Sequence, residues 1–401
     1  MALRFDLEDK MIIKNVEIHT MDKDNTVIER GYIRTDGSKI TQIGEMSFFN
    51  RFNKDEVING EGMRAYPGLI DAHTHLGMYG DSTGFEGDDG NEDSDPVMPH
   101  LRAIDAINPL DRYFEEARNA GITTVITGPG SANAISGQLA AIKTYGKRID
   151  KMIIKAPVAM KFALGENPKV TFSDKDQSPI TRMATAALIR ETLKKAKKYY
   201  LDKKSYEADK ENYDCPEYDA KYESLIPLFQ KEIPAHFHAH RADDIFTAVR
   251  ISREFDIDYV LVHATDAYLI CEELAEENML GILSGPILTD RSKPELLHLT
   301  PKSTGIISKN GIKTAIITDH PETPIQYLTL CAAVAVREGM DKTTALKSIT
   351  STAAEICGIS DRVGSLEVGK DADIILYNGS PLNIMNKPEK VIINGIIMDI
   401  K

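Results

Sequence analysis

The 401-residue sequence has no tryptophan and only four cysteines, Cys215, Cys271, Cys331 and Cys357. None forms a CxxC pair, which argues against zinc held by thiolates. Most lie within apolar stretches, as buried free thiols of a reducing cytoplasm do. No run of 18 apolar residues exists, so no membrane span is expected. The opening MALRFDLEDKMIIKNVEIHT lacks a long apolar core and does not read as a secretory signal. Positive charge is also short: 48 Lys and Arg stand against 61 Asp and Glu, a formal net charge of −13. A nucleic-acid surface needs a basic stripe, so that class of partner is excluded. Aromatic residues total 7%, which disfavours an aromatic clamp for a nucleobase.

What is present is periodic. Residues 1–66 and 363–401 read as short strands separated by Asp-Gly and Asn/Asp clusters, with Asn394-Gly395 as a hairpin signal. Residues 67–362 alternate strand and helix. PLDRYFEEARNAG reads as a helix with Leu110, Tyr113, Phe114 and Ala117 on one face and Gly121 as its stop. ITTVIT then reads as a buried strand. The alternation repeats through DDIFTAVRISREFD and YVLVHAT, AYLICEELAEENM and GILSGPI, TGIISKNG and IKTAIITDH. A long helix is expected over residues 181–204 with Met183, Ala187 and Leu188 inward, and residues 202–221 read as a charged, solvated insertion. Continuous apolar strands between amphipathic helices mean parallel strands covered by helices. The expected fold is α/β: a (β/α)8 TIM-like barrel with a small β-sandwich domain formed by both termini.

Barrel enzymes hold their sites at the C-terminal ends of the strands. Here those ends carry His73 and His75 in PGLIDAHTHLG, then His236, His238 and His240 in IPAHFHAH, His263 in YVLVHAT, and Asp319 in IKTAIITDH. Residues i and i+2 of a strand share a face, so His73 and His75 form a chelating platform that reaches one ion at about 2.1 Å. Imidazoles with a carboxylate suit Zn²⁺, with Mn²⁺, Fe²⁺ or Co²⁺ as alternatives, in one or two positions.

The motifs PGLIDAHTHLG, IITDHP and VGSLEVGKDADIILYNGSPL together resemble the amidohydrolase superfamily over nearly the whole chain. HFHAHRADDI and MKFALGENPK look most like its imidazolonepropionase-related and prolidase-like branch. The resemblance implies that His73 and His75 bind the more buried metal. His238 would be the fifth-strand ligand, with His240 its rival on the same face. His263 would bind a second metal or orient substrate, and Asp319 would touch metal and shuttle a proton. The bridging carboxylate would come from a carboxylated Lys161 or from Glu166. The implied reaction is attack by metal-activated water on the C–N bond of a small amide or cyclic amide. A deaminase or an X-Pro-type dipeptidase on the same scaffold is the alternative, and a barrel that has lost its chemistry fits poorly with so many retained ligands.

Loops supply weaker signals. Residues 81–109, with His100, follow the first barrel strand and read as a lid. Arg102, Arg241 and Arg291 follow strand ends and are candidates for holding a substrate carboxylate bidentately, with His240 as a further substrate-binding candidate. TGPGSANAISGQ is glycine-rich but lacks the GxxxxGK[ST] pattern of a phosphate cradle. The expected partner is a small-molecule substrate, with a homo-oligomer possible and the cytoplasm as location.

Overall fold

In a computed structural model, residues 10–50, 56–80 and 84–401 are described, and two eight-stranded sheets account for their named strands. The first strands are β1 (Lys10–His19), β2 (Val27–Asp36), β3 (Lys39–Glu45), β4 (Glu56–Asn59) and β5 (Arg64–Pro67). The barrel follows with β6 (Leu69–Thr74), β7 (Ile122–Thr127), β8 (Ile135–Lys143), β9 (Ile153–Ala163), β10 (Ala235–Ala239), β11 (Tyr259–His263), β12 (Gly281–Ser284) and β13 (Thr314–Ile316). The chain ends with β14 (Ile374–Tyr377), β15 (Pro388–Ile393) and β16 (Ile396–Ile397).

Both termini share one sheet, in the order β16-β15-β14-β5-β1-β2-β3, with β4 also on β1. In β1, Met11 and Ile13 alternate inward until Asn15, at φ +57°, makes a bulge. The extra residue resets the phase, so Val16 and Ile18 stay in the same apolar cluster as Met11 and Ile13. Where the sequence suggests a two-layered sandwich, the hydrogen bonding joins all eight strands into one sheet that forks along β1. That strand pairs with β4 over its first half and β5 over its second.

The barrel sheet runs β13-β12-β11-β10-β9-β8-β7-β6 and departs from a regular (β/α)8 pattern at one strand. β8 is antiparallel to both β7 and β9, whereas the other pairings are parallel. Its interior is packed by Ile70, Ala72, Ile126, Leu139, Val260, Val262 and Leu283, so the barrel is a core and not a pore. Between β13 and β6 the sheet is nearly closed. Asp319 N–H donates to the His73 carbonyl at 3.2 Å and His75 N–H to the His320 carbonyl at 2.9 Å. The buried Asp71 carboxylate stitches the same seam by accepting the Thr318 hydroxyl and N–H.

Two helical faces differ from the sequence reading. Leu110 lies ahead of its helix (Tyr113–Asn119) and is exposed, because Asp111 accepts the Tyr113 N–H and starts the helix after it. The long helix runs Arg182–Ala208 and buries Thr185, Ala186, Ile189, Leu193 and Ala196, leaving Met183 and Ala187 outside. The face is set by Leu193 and Ile189, one position out of phase with Met183. No helix of the described residues is long and apolar enough to cross a membrane.

Candidate metal centre and cavity

Four parallel barrel strands and the turn after a fifth deliver side chains to one mouth. β6 brings His73 and His75, β9 brings Lys161, β10 brings His236, His238 and His240, β11 brings His263, and the turn after β13 brings Asp319. Non-glycine residues at positive φ sit where two of these strands end: His263 at +68°, Ala264 at +47° and Asp319 at +54°. Such conformations cost roughly 1–3 kcal/mol each and persist only where packing over-determines them. Here they turn His263 and Asp319 toward the imidazoles.

The Nε2 atoms of His73 and His75 lie 3.5 and 3.4 Å from Asp319 Oδ1, and Lys161 Nζ lies 3.0 Å from His73 Nε2. Ligand atoms of His73, His263 and Asp319 fall within 4.8 Å of one another, and so do those of His238, His240 and His263. Backbone oxygens orient the rings. His75 Nδ1–H donates to the Gly128 carbonyl and His263 Nδ1–H to the Gly285 carbonyl, each at 2.7 Å. An imidazole fixed this way keeps its Nε2 lone pair free for a metal. Burial pushes His73, His238 and His240 well below the usual imidazole range and His263 down to about 4. Burial likewise pulls the Lys161 ammonium down to about 8, against the opposing pull of Asp319.

These residues fit a divalent cation. His73 Nδ1, both ring nitrogens of His238 and Asp319 Oδ1 are buried without a hydrogen-bond partner. Each such atom costs about 1–3 kcal/mol unless something satisfies it. An imidazole-rich set with a carboxylate suits zinc and its first-row neighbours better than Ca²⁺ or Mg²⁺, which take oxygen.

The cluster opens into a cavity of about 550 Å³ lined by His75, His238, His240 and Asp319 on its floor and by Tyr79, Asn91, Ser131, Asn167, Thr289, Lys293 and Glu322 on its walls. Sequence reasoning singled out none of these wall residues, because a lone polar residue in a loop carries no local signal. Residues 81–83 of the expected lid lie outside the described residues. The remainder covers one side of the mouth and is tied down. Gly130 N–H donates to the Gly90 carbonyl at 2.8 Å, and isolated bridges join Val97 to Ile135 and Arg102 to Gln138.

The three arginines expected at the substrate are engaged elsewhere. Arg102 pairs with Asp105, Arg241 with Asp243, and Arg291 donates to the Leu299 carbonyl. All three are exposed and none lines the cavity, because each guanidinium finds a partner in its own loop first. Glu166 opens the helix Glu166–Ser173. Its backbone N–H donates to Glu295 Oε2 at 2.9 Å, and its carboxylate belongs to neither ligand cluster.

Comparison with known proteins agrees with this geometry. The amidohydrolase family matches residues 64–398. Amidohydrolase tasK of Hapsidospora irregularis is 28% identical over 397 residues, covering 92% of this chain and 39% of that protein, so the chain spans well under half of that relative's length. A 5-methylthioadenosine/S-adenosylhomocysteine deaminase of Clostridium tetani is 43% identical over 68 residues, 17% of this chain and 16% of that one. The crystal structure of an amidohydrolase from Thermotoga maritima MSB8 matches with a TM-score of 0.92 at 38% identity, covering 98% of this chain and 100% of that one. The chain therefore belongs to the amidohydrolase family.

Proposed function

We propose that this chain hydrolyses the C–N bond of a small cyclic or linear amide with one or two divalent cations at the barrel mouth. The observation that carries this reading is the convergence of His73, His263 and Asp319 beside His75, with His75 and Asp319 lining an open cavity. His73, His75 and Asp319 would hold one cation and His238 and His263 the other, with Zn²⁺ favoured over Mn²⁺, Fe²⁺ and Co²⁺. A cation so held supplies Lewis acidity and brings the pKa of water toward neutrality.

The chain's own groups handle the proton. Burial raises the Asp319 carboxyl, but His263, His75 and Lys161 outweigh it and hold Asp319 below the usual carboxylate range. Asp319 is thus ionised at neutral pH, accepts a proton from the attacking water and returns it to the leaving nitrogen. His263, a member of both ligand clusters, would orient the scissile carbonyl where only one cation is held. Lys161 is the bridge we favour over Glu166. It is fully buried against His73, and its lowered pKa leaves part of it as free amine, which adds CO₂ with loss of one proton to give a carbamate. In this reading the enzyme belongs to the imidazolonepropionase-related and prolidase-like branch.

Elemental analysis of the purified protein, followed by turnover of cyclic amides, N-acyl amino acids and dipeptides, tests the proposal. Metal-free protein with no chelator-sensitive turnover of any C–N substrate would sink it. The local match to a deaminase supports a second reading on the same site, distinguished by release of ammonia from an amidine carbon.

A further inference from the structure

The H-x-H platform of β6 is repeated on β10. His73-Thr74-His75 places its two rings with centroids 5.2 Å apart and planes at 81°. His238-Ala239-His240 places its rings 4.8 Å apart at 83°. In each pair the second imidazole is held through Nδ1 by an oxygen, the Gly128 carbonyl at 2.7 Å for His75 and the Thr265 hydroxyl at 2.8 Å for His240. The first imidazole of each pair, His73 or His238, has a buried Nδ1 with no partner. Each pair also faces a carboxylate. Asp319 Oδ1 lies 3.5 and 3.4 Å from the first pair, and Glu295 Oε1 lies 4.0 and 3.7 Å from the second. His263 stands between the pairs as a member of both ligand clusters.

Building on the metal-dependent reading above, we infer that His240 and Glu295 complete a second metal position with His238 and His263, so that this position does not depend on a bridging Lys161. Two ligands at about 2.1 Å from one ion in tetrahedral directions stand about 3.4 Å apart. The first half-site has that spacing, and the second needs each ligand to close by a few tenths of an ångström. Glu295 is built for the task. It is 2% exposed, its Oε2 accepts the Glu166 N–H at 2.9 Å, and its Oε1 lies 2.9 Å from the Lys293 ammonium as an ion pair but is buried with no hydrogen-bond partner. Lys293 also donates to Asn167 at 2.9 Å, which fixes the ammonium beside Glu295. Gly165, at φ +88°, makes room for this carboxylate: a Cβ there would lie 2.8 Å from Glu295 Oε2. A buried carboxylate oxygen without a hydrogen-bond partner thus faces the His238 and His240 rings.

The test is zinc stoichiometry and affinity, read by elemental analysis after dialysis and by competition with a chromogenic chelator. Wild type should hold two ions per chain. Lys161→Met should still hold two. Glu295→Gln keeps the acceptor for Glu166 N–H and should weaken the second ion by roughly 10–100-fold, the usual effect of losing a supporting group at a metal. His240→Asn should do the same, and the two variants check one another should either fold poorly. Loss of the second ion in Lys161→Met, or unchanged second-ion affinity in both Glu295→Gln and His240→Asn, overturns the inference. A wild type that holds one ion overturns it too while leaving the hydrolase reading intact; a wild type that holds none overturns that reading as well.

Discussion

The barrel buries polar groups at both ends, and the two ends treat them differently. At the floor, where the terminal sheet meets the barrel, Lys143 is 2% exposed and lies 2.5 Å from Asp373 and 3.0 Å from Asp371. Asp371 also pairs with Lys39 and Arg362, each at 2.7 Å. Asp373 further accepts the Thr123 hydroxyl and the Asn394 N–H. Each of these buried charges has an opposite charge and hydrogen bonds. At the mouth, burial is as deep, but imidazole nitrogens stand without partners and the backbone carries positive φ at His263 and Asp319. A satisfied buried network holds a fold together. An unsatisfied one, kept at a cost, marks the place where a ligand makes up the difference.

Breaking each end should therefore give a different phenotype. Asp319→Asn should lower kcat by roughly 10²–10⁴, the usual worth of general acid–base catalysis, with the denaturation midpoint nearly unchanged. His73→Ala should remove metal and activity together, whereas Asp319→Asn keeps most of its metal because the imidazole pair remains. Near-full turnover by Asp319→Asn would exclude its role as proton shuttle.

At the floor the loss should be in stability. Lys143→Met leaves Asp373 and Asp371 short of a buried cation, and removing one partner of such a pair costs about 3–5 kcal/mol. Urea unfolding should show that drop, while the variant that remains folded turns over at the wild-type rate. A rate deficit in the folded fraction would mean the two ends are coupled and the contrast is false.

Metal removal sharpens the contrast with a smaller effect. A ligand present at 100 times its Kd stabilises the folded state by about 2.7 kcal/mol. Chelation should lower the stability of wild type and of Lys143→Met by the same increment, because none of the ion pairs and hydrogen bonds of the floor cluster reaches a metal-site residue. Unequal increments, measured by the same unfolding curves, would show that the floor cluster shapes the metal site.

How legible each end was in the sequence follows from the same physics. The mouth announced itself locally, since His73 and His75 sit two apart on a strand end, as do His238 and His240. The alternation of apolar strands and amphipathic helices likewise marked the barrel. The direction of β8 was hidden, because ISGQLAAIK is as apolar read either way. Residues 128–134, between β7 and β8, are too few for the dozen or so that a parallel crossover needs, and that count was the available clue. The floor cluster joins residues from Lys39 to Asp373, and Glu295 is a single acid in a charged loop. Their burial is a property of the fold and leaves no periodicity to read.

The arginines give the smallest expected effect and the clearest test of what a strand-end position means. Arg102, Arg241 and Arg291 follow barrel strands or their loops, which made them plausible anchors for a substrate carboxylate. Their side chains instead pair with Asp105, Asp243 and the Leu299 carbonyl. Exposed pairs of this kind are screened by water and spend side-chain entropy on being held, so they contribute little. Substituting each by alanine should change stability by no more than about 0.5 kcal/mol, as surface changes usually do. KM for an authentic substrate should stay within about twofold, because none of the three guanidiniums lines the cavity. Lys293→Met is the matched control, since Lys293 does line it and holds Glu295 and Asn167 in place. Its KM should rise while the arginine variants stay level. A tenfold rise in KM for any of the three would place a guanidinium at the substrate and show that the loop carrying it moves inward when substrate binds.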